Sequence, residues 1–154
     1  MSKYGETVIE LAYNSASDIL TLRRSDGSTI KKVNLSGVSA NTLGPFTFDF
    51  NTNINAPPSN SQVRLDSTVI NEVTKIWVSN LDNNNTDVRN ILLFAVAGNT
   101  IYIQDKDDSK SFKSFSIQEV PTVQEDSYVT FSVALNKDSG IPLKGSAILF
   151  GIIQ

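Results

Sequence analysis

The sequence predicts an all-β chain: an antiparallel, jelly-roll-like β-sandwich preceded by an N-terminal β-meander. Three observations carry that expectation. Apolar and polar residues alternate in short runs, as in half-buried strands. Clusters of Asn, Asp, Ser and Gly separate those runs at sandwich or barrel spacing. Helical periodicity is nearly absent; its best stretch, "VRNILLFAVAG" (88–98), is short, ends on glycine and reads equally as a buried strand.

Taken in order, "TVIELAY", "DILTLRR" and "TIKKVNL" read as three strands of a meander over residues 1–36. Asp26-Gly27 signals a two-residue hairpin loop, because both residues tolerate the positive φ of a type I′ turn. With those two as the loop, Leu22 faces Lys31 and Leu20 faces Val33. Leu20, Leu22, Val33 and Leu35 then share one apolar face, and Thr21, Arg23, Lys32 and Asn34 share the other. Three strands with one small apolar face are marginal alone, so that face calls for a partner: the rest of the chain or another copy of it.

Residues 37–45, ending in Gly44-Pro45, read as a linker, and 46–154 as the sandwich domain. "FTFDFN" alternates strictly, with Phe46, Phe48 and Phe50 on one side. Residues 53–62 read as a loop because Pro57-Pro58 cannot continue a ladder. "VTKIWVS", "ILLFAVA", "TIYIQ", "FSIQEV", "YVTFSVAL" and "SAILFGII" follow as strands, giving enough for two packed sheets.

Composition narrows the function. The chain has 154 residues and 40% hydrophobic content, enough for a real core. A net charge of −3 provides no basic surplus for phosphates, which disfavours nucleic-acid binding. With no histidine and no cysteine, Ser-His and Cys-His catalysis, imidazole and thiolate metal sites and disulfides are excluded. No apolar run approaches the roughly 20 residues needed to span a bilayer, and the first residues lack the apolar core of a signal peptide, so no membrane insertion is expected.

Two groups of side chains remain as candidates. Asp105, Asp107 and Asp108 crowd one polar loop, yet counting from Asp105 puts Lys110 and Ser116 where a calcium loop needs Gly and Glu. Lys106 and Lys110 dilute its charge, so a hairpin loop is expected there, with no metal, catalytic group or cofactor. Alternation places Trp77, Tyr102 and Tyr128 on the polar faces of their strands, as contacts for a neighbouring subunit or stacking platforms for a sugar.

"DILTLRRSDGSTIKKVNLSG" (18–37) resembles hairpins that recur in tailed-bacteriophage fibre and appendage proteins, where they form intertwined trimeric stalks or attachment regions. "KIWVSNLDNNNTDVRNILLFAVAGNTIYIQDKDDSKSFKSFSI", followed by "YVTFSVAL", resembles a β-sandwich module of phage virion proteins. The resemblance implies a non-enzymatic virion component made in the host cytoplasm: a small fibre, head-decoration or tail-appendage subunit. It implies a homotrimer joined through the Leu20, Leu22, Val33 and Leu35 face, with capsid or tail proteins as partners. The alternative is a carbohydrate-binding module that grips a host-surface glycan with Trp77, Tyr102 and Tyr128.

Overall fold

The computed structural model describes residues 8–14, 17, 19–34, 42–144 and 147–154. The chain divides into two compact units, Met1–Asn41 and Thr42–Gln154. The expected linker residues 37–41 lie outside the described residues, but 42–45 do not belong to a linker: they open a strand.

The first unit is the expected meander. Strands β1 (Val8–Asn14), β2 (Ile19–Arg24) and β3 (Thr29–Asn34) form one antiparallel sheet in that order. Leu22 pairs with Lys31 and Leu20 with Val33, in the register that the alternation predicts. The turn that delivers the register is different. The Arg24 N–H donates to Ser28 O at 2.8 Å and the Gly27 N–H to Arg24 O at 3.0 Å, so Ser25, Asp26 and Gly27 form a three-residue loop. Gly27 sits at φ +84°, the left-handed position that closes such a loop. A register shift between Leu22 and Arg23, across from Ile30, then absorbs the extra loop residue. Two one-residue irregularities cancel, and the strand faces come out as the sequence demands.

The second unit is a closed barrel, which replaces the expected pair of stacked sheets. Its strands are β4 (Thr42–Asn51), β5 (Gln62–Leu65), β6 (Lys75–Ser79), β7 (Thr100–Asp105), β8 (Asp108–Ile117), β9 (Thr122–Gln124), β10 (Tyr128–Asp138) and β11 (Ala147–Ile153). They run β6-β5-β4-β11-β7-β8-β10-β9, and a further β6–β10 pairing joins the sheet's ends. Seven strands thus make a ring, with β9 appended beside the first half of β10. The long strand β10 permits closure: Tyr128–Ser132 pair with β6, while Val133–Asp138 pair with β8. All ladders are antiparallel except β4–β5.

The interior follows the alternation. Phe48, Ile76, Val78, Ile101, Ile103, Phe115, Phe131, Ile148 and Phe150 are fully buried, and Phe46 and Phe50 pack against them. Thr42 pairs with Ile153 and Leu43 with Ile152 on β11, and Gly44-Pro45 fill the irregularity before Phe46 meets Phe150. Gly44 is required there: at φ +102° a Cβ would meet Phe150 O at 2.9 Å and Phe46 N at 3.0 Å. Strand β8 begins at Asp108, so residues 108–114, expected as loop, are strand. Residues 91–97, expected as a strand, instead begin within a one-turn helix, α1 (Arg89–Leu92). Val88, Leu92 and Ala95 enter the core while Ile91, Phe94 and Val96 stay exposed. Among the described residues no helix is long and apolar enough to cross a membrane.

The β9–β10 turn holds two non-glycine residues in the left-handed region, Glu125 and Asp126, both at φ 51°. Aspartate tolerates that conformation and glutamate does so poorly. Glu125→Asn is therefore expected to raise the unfolding free energy by about 0.5 kcal/mol in urea titrations. An unchanged or lower midpoint would show that the turn carries no backbone strain.

Candidate functional site

Strand β8 alternates Ser111, Lys113, Phe115 and Ile117, all buried. Phe115 and Ile117 fix that set as the inward one, so Lys113 enters the barrel with them. It is 5% exposed. Directly opposite on β10 stands Asp138. The Lys113 ammonium donates to Asp138 Oδ1 and, at 2.8 Å, to Ile141 O. Hydrogen bonds from Lys113 and from the Gly140 N–H hold the Asp138 carboxyl below its ordinary pKa.

These contacts strap the β10–β11 connection to β8. Ser111 Oγ lies 3.0 Å from Pro142 O and 3.3 Å from Ile141 O, in range to donate to either. The Phe112 N–H donates to Ser139 Oγ at 3.0 Å, and the Ser139 N–H donates back to Phe112 O at 3.1 Å. The strapped loop forms one wall of a pocket of about 300 Å³ at the barrel mouth. Phe50, Ile54, Leu65, Ile70, Pro142 and Leu143 supply its apolar lining, Ser67 and Thr68 its hydroxyls, and Lys113 and Asp138 its charges. The sequence carried one signal for it: extending the Phe115/Ile117 alternation back by two residues puts Lys113 inside.

The aromatic candidates are dispersed. Tyr102 is half-buried and stacks on Phe112, with ring centroids 5.7 Å apart and planes at 20°, while its hydroxyl donates to Gln104 Oε1 at 3.0 Å. Its row across the sheet runs Gly151, Tyr102, Ser114, Lys137. Trp77 is also half-buried, in a row with Arg64 and Thr130. Thr130 and Lys137 lie seven residues apart on β10, roughly 20 Å along the strand. Trp77 and Tyr102 therefore share no platform. Tyr128 does not lie on an open face: it is 7% exposed, covered where β10 has neighbours on both edges, β6 and β9. Burial, and then the Glu125 carboxylate, raise its pKa.

The aspartate loop is a tight hairpin. Asp105 and Asp108 pair across it, Asp105 Oδ1 accepts the Asp107 N–H at 3.2 Å, and Asp108 Oδ1 accepts the Lys110 N–H at 3.0 Å. Asp105, expected in a solvated loop, is 3% exposed because it continues the inward set Ile101, Ile103. Its Oδ2 has no partner among the described residues. Among those residues no group of three or more acidic, histidine or cysteine side chains is placed to hold a metal ion.

In the first unit, Leu20 and Leu22 are half-buried, and Leu11, opposite Leu22 on β1, is 64% exposed. Leu35 and the Val33 side chain lie outside the described residues. Thr21, on the face expected to be polar and open, is 8% exposed. It lies on the central strand between Ala12 and Lys32, in a shallow recess lined also by Ile19 and Arg23. Comparison of the chain with protein-family models, with curated proteins and with solved structures finds no match.

Proposed function

We propose that the chain is a non-enzymatic structural subunit of a tailed-phage particle, a small fibre, decoration or tail-appendage protein. It assembles with copies of itself through the N-terminal sheet and meets capsid or tail proteins. The observation that carries this reading is the Leu11, Leu20 and Leu22 face. It belongs to the three-stranded sheet of the first unit, where Leu11 is 64% exposed. A sheet this small does not bury such a face by itself. Copies packed around a three-fold axis would bury it, and the outer edges of β1 and β3 offer further backbone pairing. The carbohydrate-binding alternative loses support, since Tyr128 is covered and Trp77 and Tyr102 are far apart.

Light scattering after gel filtration is expected to give the mass of a trimer. Leu22→Asp should reduce it to that of a monomer, because three carboxylates would be buried at one contact. A monomeric unmutated chain would sink the proposal. An assembled Leu22→Asp variant would remove this face from the subunit contact.

A further inference from the structure

The barrel-mouth pocket has polar chemistry that the strap leaves unfinished. A lysine ammonium carries three N–H donors and no acceptor. Lys113 spends two of them, on Asp138 Oδ1 and Ile141 O. The third has no partner among the described residues, at a side chain that is nineteen-twentieths buried. Asp138 Oδ1 accepts from Lys113 and from the Gly140 N–H, while Asp138 Oδ2 has no partner among the described residues. The pocket wall thus offers one donor and one acceptor side by side, facing apolar surface from Phe50, Leu65, Ile70 and Leu143.

We propose that this pocket binds a small neutral molecule with an apolar body and a hydroxyl head, such as an alicyclic alcohol or a phenol. The hydroxyl oxygen accepts the third Lys113 N–H, and its hydrogen is donated to Asp138 Oδ2. A hydroxyl satisfies both groups at once, which an ether, a ketone or a hydrocarbon does not. Charged heads fit worse. The Lys113–Asp138 pair is already neutral, so a ligand carboxylate would be set against Asp138 and a ligand ammonium against Lys113. A pocket of about 300 Å³ is at the small end for ligand sites, which selects a fragment-sized body over a sugar chain or a lipid.

The test is an amide-resolved NMR titration of the full chain with cyclohexanol and, separately, with cyclohexanecarboxylate. Cyclohexanol is expected to give saturable shifts confined to amides around the pocket, among them Ile54, Ile70, Gly140 and Leu143. The carboxylate should bind about tenfold more weakly or less, the penalty for an unbalanced charge. Thr68→Trp, at an exposed rim position, should abolish the cyclohexanol shifts and leave the remaining spectrum in place. The proposal is overturned by shifts that fail to saturate, by carboxylate binding as tight as the alcohol, or by unchanged binding in Thr68→Trp. Any of these would leave the Lys113–Asp138 pair as a strap alone.

Discussion

Phe150→Ala should lower the unfolding free energy by about 4 kcal/mol, the largest effect expected of any single truncation in the barrel. Phe150 is fully buried on β11, between β4 and β7. Its ring meets Phe48 edge-on, with centroids 5.8 Å apart at 79°, and leans on Phe131 from β10 at 6.3 Å. Truncation removes the transfer energy of a phenyl group, two aromatic contacts and the packing between opposite walls of the ring. A closed barrel collapses poorly around such a void, because its strands are tied on both edges. Urea denaturation with an unchanged slope is the check, and a loss under about 2 kcal/mol would mean that the barrel interior relaxes freely.

Lys113→Met should cost about 3 kcal/mol at neutral pH. Methionine keeps most of the apolar stem, so the loss reports the ammonium. Without it Asp138 loses its ion partner and Ile141 loses a donor to its carbonyl, and among the described residues the β10–β11 connection stays tied to β8 by its Ser111 and Ser139 bonds. The pH dependence has a definite sign. The folded Asp138 carboxyl has a lowered pKa, so its stabilisation is fully present above the unfolded value, near pH 4, and is lost as pH falls through the folded value. The gap between Lys113→Met and the unmutated chain should be widest at neutral pH and narrow below about pH 4. A gap that stays constant down to pH 2 would show that the lysine acts through packing.

The parts of the fold that alternation controls were legible. Phe46, Phe48 and Phe50 declared the inner face of β4, and the Leu20/Leu22 pattern set the meander's register even though the turn was one residue longer than expected. What stayed hidden was long-range or chemically disguised. Barrel closure rests on five pairings between β6 and β10, far apart in sequence, and no local pattern announces them. Gly44-Pro45 reads as punctuation, yet it lies within β4, where only glycine fits beside the Phe150 carbonyl. Strand β8 alternates serine and lysine with its aromatics, so its first half resembles a loop and its inward lysine a solvated charge. Tyr128 is buried beside Thr122–Gln124, a strand paired with the start of β10 that has too little apolar pattern to be recognised.

The barrel's first and last strands are hydrogen-bonded neighbours, and Thr42 stands opposite Ile153. Tension applied at those two residues pulls across the β4–β11 ladder and peels its bonds one at a time from that end. It does not load them together in shear. A module tethered at both points is therefore mechanically weak in line with a load.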